Sequence, residues 1–290
     1  MDYHSDRFQD FSLMVYKKNK LVALLPANKD GTVVYSHQGL TYGGLVHSKE
    51  LKTTEYVECF VSVLKFLRQN SIENLLIKEL PFIYLENQTN NPLMYVCFKA
   101  KANLERTDLH SVAETKNFKL SSSRKEGFKR GLKHNLKIVE SETFEQFWKE
   151  ILIPNLQTKH GVKPVHSLEE ITLLKSRFKN NIRQFNVYHN DKIVGGTTIF
   201  ETKNIAHCQY ISGNADKNEL GSLDFLHTYL IKEVFSNKTY FDFGTSNINK
   251  GEHINQGLDF WKSGFGARSI PQSFYNIETK NFKLLKDVFI

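Results

Sequence analysis

Cysteine, proline and tryptophan are all scarce in this chain of 290 residues, with 3 Cys, 6 Pro and 2 Trp. Cys59, Cys97 and Cys208 are isolated and odd in number, so they build no disulfide framework and point to reduced thiols. They show no metal-ligand spacing, and His207-Cys208 lacks partners at zinc spacing, so no metal is expected. Long apolar runs are missing too. The best stretch, Leu21 to Ala27, falls far short of the ~20 residues that span a bilayer. The opening Met-Asp-Tyr-His-Ser-Asp has neither a basic start nor an apolar core, which argues against a secretory leader and for a cytoplasmic location.

Apolar residues at 40% and charged residues at 24% are the proportions of a folded globular protein. The length suits one large domain or two ordinary ones. Phe and Tyr are plentiful, at 22 and 12, and favour strands and filled cores. A formal net charge of +8 draws phosphate-bearing partners without choosing among acyl-CoA, nucleotide sugars, tRNA and DNA.

The first 115 or so residues read as mixed α and β. Leu13–Tyr16 and Leu21–Leu25 form a hairpin across Lys17–Lys20, and Val33–Ser36 is a third strand. A loop marked by Gly39, Gly43 and Gly44 precedes a helix with Val57, Phe60, Val61, Leu64 and Leu67 at helical spacing. Leu75–Ile77 and Leu93–Phe98 read as strands. Between Lys116 and Lys137 lie eight Lys or Arg and one acid, either a solvated helix face or a basic rim for a phosphate-bearing substrate. This stretch marks the junction between domains placed at 1–118 and 119–290.

The second half is more orderly. Leu136–Val139 is a strand, a helix carrying Phe144 to Leu152 ends before Pro154, and Ser167 with Glu170 caps another. Three antiparallel strands follow at Ile182–Tyr188, Ile193–Phe200 and Ile205–Ile211. Then come a helix from about Ser222 to Phe235, a buried strand Tyr240–Phe243, a helical turn Ile254–Lys262 and a last strand Ser273–Ile277.

Three segments stand out: Lys163-Pro-Val-His-Ser-Leu-Glu-Glu-Ile171, the stretch from Gln209 to Asp224, and Phe241-Asp-Phe-Gly-Thr-Ser246 with Asn255 to Arg268. Together with the element order, they resemble acyltransferases of the GNAT superfamily, in the two-domain branch that includes Fem-type peptidyltransferases. The resemblance covers roughly Leu120 to Ile277. It implies an α/β (α+β) architecture with a GNAT fold in the second half and a degenerate GNAT-like first half. Many such proteins serve cell-surface polysaccharide pathways.

The activity so implied is acyl transfer to an amine, from a thioester (acetyl-CoA or another acyl-CoA) or from an aminoacyl ester. Alignment of the reactants can supply on the order of 7 to 11 kcal/mol and oxyanion donors roughly 3 to 4, so no nucleophilic side chain is required. In the superfamily, the loop after the fourth strand and the helix behind it hold the CoA pyrophosphate. The matching piece is Asn218-Glu-Leu-Gly-Ser-Leu223, which makes Gly221 and Ser222, with Gln209 on the preceding strand, candidate CoA contacts. The segment keeps Gly221 but departs from the usual pattern at Asn218 and Leu223, and Asp224 in the first turn would repel a phosphate. An ordinary helix capped by Ser222 is the other reading.

Lys262 matches a lysine at the acyl-transfer centre, where an ammonium would stabilise the oxyanion or bind an acceptor phosphate. A surface pair with Asp259 is its plain alternative. Asp242 reads as a base or amine-orienting carboxylate, or as a turn former, and Tyr210 as a proton donor to the departing thiolate, or as core. His166 and Asn255 are candidate acceptor contacts. The leading expectation is an N-acyltransferase acting on a small amine such as a nucleotide-linked amino sugar. An aminoacyl-tRNA-dependent Fem-type peptidyltransferase and a non-catalytic basic binding module stay open beside it.

Overall fold

The computed structural model describes residues 6–85 and 91–290, which gather into two compact units. The first takes the chain up to Asp108 together with Pro271–Ile290; the second is Leu109–Ile270. Among the described residues no helix is long and apolar enough to cross a membrane.

The first unit begins with β1 (Gln9–Asp10), the hairpin of β2 (Leu13–Lys17) and β3 (Lys20–Leu25), β4 (Asn28–Asp30), β5 (Val33–Tyr35) and β6 (Val46–His47). The hairpin turns where Lys18 and Asn19 both take positive φ, 48° and 65°. Next comes α1 (Thr53–Gln69), which buries Tyr56, Val57, Phe60, Val63, Leu64 and Leu67 along one stripe. Each such side chain contributes roughly 1.5 to 3 kcal/mol by leaving water. β7 (Asn74–Lys78) follows, with its apolar side chains in the same core.

Leu93–Phe98, expected as a strand, is instead the helix α2 (Leu93–Lys99). Pro92 stands at its N-cap, and Leu93, Val96 and Cys97 are buried at helical intervals. An apolar run this short fits either period, and tertiary burial selected the helix. The polar stretch behind it opens the strand β8 (Asn103–Glu114), within which the unit boundary falls.

In the second unit, Ser121 caps α3 (Ser122–Lys133) by accepting from the Arg124 N–H, and the chain enters β9 (Lys137–Ser141). The next helix does not stop at Pro154. It widens into a π-turn over Phe147–Leu152 and continues as α4 (Ile153–His160), so the residue without an N–H sits in a first turn that needs none. Helix α5 (Leu168–Arg177) starts at the Ser167–Glu170 capping box. β10 (Ile182–His189), β11 (Lys192–Glu201) and β12 (Ile205–Gly213) then form an antiparallel meander.

After it come α6 (Lys217–Leu220), α7 (Ser222–Tyr229), β13 (Tyr240–Thr245), the short pair β14 (Asn247–Ile248) and β15 (His253–Ile254), and α8 (Gln256–Ser263). The final strand, β16 (Arg268–Glu278), carries the chain back to the first unit. Within the second unit the strand order is β8-β13-β12-β11-β10-β9.

Helices α3 and α7 meet through glycine. A Cβ on Gly127 would lie 1.7 Å from Asp224 Oδ2, and one on Gly131 would lie 2.5 Å from Phe225 Cβ. Beneath α7, His227 is fully buried among Phe241, Phe243, Trp261 and Phe265, with ring centroids 5.2–6.2 Å away. Its Nδ1 is 2.7 Å from the Leu223 carbonyl. Burial drives its pKa down to about 4, so the ring is neutral at pH 7. Above pH 6.5 the folded and unfolded states both hold it neutral. As pH falls from 6.5 towards 4, the unfolded chain takes up a proton that the folded core refuses, and stability is lost across that window. Replacing His227 with Phe is therefore expected to remove up to roughly 3 kcal/mol of that acid-side loss. Urea unfolding at pH 7 and pH 4.5 reads it, and two variants with equal losses between those pH values would refute the assignment.

Candidate functional site

Strand β13 runs parallel to β12, but their ladder covers only Ile205–His207 against Tyr240–Asp242, although β12 continues to Gly213. Along its other edge, β12 breaks register with β11: Tyr210 faces Thr198 and Cys208 faces Ile199, leaving Gln209 as the extra residue of a bulge. A strand that sheds its neighbour halfway and bends at that point leaves a wedge between the two strands.

The far end of the wedge opens into a pocket of about 610 Å³. Arg124 and Arg130 of α3, Lys159 of α4, Lys217 and Asn218 of α6 and Trp261 of α8 line it. Burial, and then the neighbouring Lys217, lower the pKa of Lys159, so two ammonium groups stand side by side. An anion between them would relieve both, as expected of a phosphate site.

Asp224, expected to repel such a group, does line the same pocket, but its charge is partnered. Its Oδ1 accepts from Arg124 Nη1 at 2.5 Å and Trp261 Nε1 at 2.8 Å. Burial raises its pKa, while Arg124, Trp261 and Arg130 oppose that rise. Gly221 has a steric reason to be glycine: its φ is 68°, and a Cβ would lie 2.2 Å from the Gly127 carbonyl oxygen. It also stands as the N-cap of α7, and Ser222 is the first helical residue, fully buried with no hydrogen-bond partner for its Oγ. Asn255 caps α8 by accepting from the Leu258 N–H at 3.0 Å, and it borders the same pocket.

The remaining candidates fall into two clusters. In one, the Tyr210 hydroxyl accepts from the His166 N–H at 3.0 Å and lies 2.7 Å from His166 Nδ1, with Trp148 edge-on to the Tyr210 ring. In the other, Asp242 and Lys262 grip the backbone at Gly244 from opposite sides. Asp242 Oδ1 accepts the Gly244 N–H at 2.7 Å, while Lys262 Nζ donates to the Gly244 and Thr245 carbonyls at 2.9 and 2.7 Å. The Lys262 side chain points inward rather than forming a surface pair with Asp259, and burial lowers its pKa to about 8, opposed by Asp242, Cys208 and Asp259.

Asp242 has no exposed surface and brings in two residues that motif reading passed over. His207 Nδ1 is 3.0 Å from its Oδ2, and His110 Nδ1 is 3.5 Å from the same oxygen. Burial by itself raises the Asp242 pKa, yet the charges and bonds of His207 and His110 hold it well below the usual carboxylate range. In the sequence His207 is a lone polar residue between Ala206 and Cys208, and only strand register sets it opposite Asp242. Among the described residues no group of three or more His, Cys, Asp or Glu could hold a metal ion.

No protein-family model matches the sequence, and no curated protein matches it. Solved structures do match in fold. FemX superposes with a TM-score of 0.69 at 8% identity, covering 96% of this chain and 90% of its own. The C-terminal domain (DUF2156) of a proposed lysylphosphatidylglycerol synthetase from Agrobacterium fabrum gives 0.64 at 12% identity over 91% and 83%. A tandem GNAT protein from the clavulanic acid biosynthesis pathway, solved without AcCoA, gives 0.50 at 12% over 92% and 82%. The chain has a GNAT-like fold of the Fem type.

Close contact is by itself a reason for glycine at position 221, and this is open to test. Gly221→Ala is expected to cost roughly 2 kcal/mol or more of stability, from the positive φ and the clash with Gly127. A urea midpoint unchanged from that of the natural chain would contradict the contact.

Proposed function

We propose that the chain is an N-acyltransferase that moves an acyl group, acetyl in the simplest case, from acyl-CoA to an amine of a small acceptor such as a nucleotide-linked amino sugar. The observation that carries this reading is the β12–β13 wedge running into a pocket where Lys159 and Lys217 stand together. A thioester lying along β12 in the wedge would place its carbonyl near the end of the ladder and its phosphates among those cations. The fold resemblance to the tandem GNAT protein agrees with such a donor.

Chemically the reaction needs little. The amine nitrogen bonds to the carbonyl carbon, the carbon–sulfur bond breaks, and one amine proton leaves. Backbone N–H groups of the bulged strand are suited to meet the oxyanion. The Asp242–Lys262 grip on Gly244 and Thr245 fixes the opposite wall, giving Lys262 a positioning duty beside the electrostatic one its charge allows. Tyr210, oriented by His166, is the candidate proton donor to the thiolate.

A second reading keeps the fold and takes aminoacyl-tRNA as donor. It is favoured by the higher TM-scores of FemX and the DUF2156 domain, and by the basic α3. Acetyl-CoA with a panel of UDP-linked amino sugars, read as free thiol, tests the first; transfer of a labelled amino acid from charged tRNA tests the second. Under the first reading, Lys159→Glu and Lys217→Glu are each expected to raise the KM for acetyl-CoA at least about tenfold while leaving kcat within a factor of about three. Thiol release that is absent in the natural protein, or indifferent to both charge reversals, would remove CoA as the donor.

A further inference from the structure

We propose that His207 is the proton acceptor for the attacking amine and that Asp242 is the positioning residue holding its ring. This rests on the acyl-transfer reading above and adds the base that it leaves unassigned. Position is the first argument. His207 and Asp242 are the last partners in the β12–β13 ladder, so the imidazole stands at the apex of the wedge, two residues before the bulged Gln209. It keeps 6% of its surface exposed, whereas Asp242 keeps none.

Geometry is the second. A carboxylate can only accept, so the 3.0 Å contact places a proton on Nδ1 of His207 and leaves Nε2 as the acceptor nitrogen. The carboxylate cannot turn away, because its other oxygen is bound by the Gly244 N–H. His110 approaches the same Oδ2 from β8, and the Lys262 ammonium is held by the Gly244 and Thr245 carbonyls. An imidazolium formed at His207 would be stabilised by the negative charge next to it, as in His–Asp pairs generally.

Elimination is the third. The Tyr210 hydroxyl is engaged with His166, Lys262 donates to two carbonyls, and Asp224 is bound to Arg124. Cys208 belongs to the apolar core, and burial raises its thiol pKa. In the step proposed, the carbon–nitrogen bond forms and the carbon–sulfur bond breaks. The amine proton passes to His207 Nε2 and the departing thiolate takes one from the Tyr210 hydroxyl, which recovers it from the imidazolium through solvent, so an amine and a thioester become an amide and a thiol.

The test uses the full chain with acetyl-CoA and UDP-linked amino sugars, or charged tRNA if that donor turns over. His207→Ala is expected to lower kcat by about 10²- to 10⁴-fold with little change in the donor KM, and added imidazole should restore part of the rate. Asp242→Asn, which keeps the carboxylate's size, is expected to lower kcat at least about tenfold. Independently of turnover, nitrogen NMR of the histidine-labelled natural protein should show His207 protonated at Nδ1 and bare at Nε2. The opposite tautomer, an undiminished rate in His207→Ala, or a folded His207→Ala that imidazole fails to rescue would each overturn the role. A natural protein that transfers nothing from either donor would sink the transferase reading itself, and this role with it.

Discussion

The organisation of the second unit depends on a ladder that stops early. β12 and β13 share hydrogen bonds over three residues each and then part, and both ends of that limit are built in. At β13, Gly244 takes a φ of 69°, outside the range that continues a strand, and the register against β8 shifts between Asp242 and Thr245. At β12, the Gln209 bulge bends the strand just beyond the last shared pair. A buried carboxylate and a buried ammonium hold the distorted turn by its amide and its carbonyls. Burying two charges is costly unless each is bonded, and here Asp242 Oδ1 and Lys262 Nζ bond to the same short piece of backbone while Asp242 Oδ2 meets His207.

The same arrangement separates the polar groups by task. Asp242 is too enclosed to meet a substrate, and its neighbours hold its pKa too low for it to take a proton. Strand pairing sets His207, for which we propose the proton-acceptor role, against it. At the far end of the wedge, Asp224 shares the pocket with Lys159 and Lys217, and Arg124 and Trp261 bind its carboxylate. In both places an acid is paired with neighbouring donors, and basic residues stand near it.

Much of this was legible from residue order. The hairpin at Lys17–Lys20, the long helix carrying Val57 to Leu67, the capping box at Ser167 and the three-strand meander all announce themselves through local periodicity and turn chemistry, and the structure contains them. Lys262, Asp242, Tyr210 and His166 were also visible as polar residues inside segments resembling a known fold. What stayed hidden depended on distant partners. The run Leu93–Phe98 has no period decisive enough to separate helix from strand, so its assignment waited on what buries Leu93, Val96 and Cys97. The termination expected at Pro154 was avoided by a π-turn, a backbone adjustment without a sequence mark.

Why the histidines escaped motif reading follows from the same physics. His110, His207 and Asp242 lie on three strands, 97 and 35 residues apart along the chain. A spacing rule finds residues that a helix turn or a tight loop brings together, and these meet only through sheet register. Register is set by which faces are apolar: Ala206 and Cys208 turn to the core with Phe241 and Phe243, so His207 and Asp242 must share the opposite face. The apolar alternation of two strands thus determines where the polar pair meets. A one-residue slip of β13 would carry the carboxylate to the apolar face that Phe235 and Phe265 line, away from His207, and turn Phe241 out of the core.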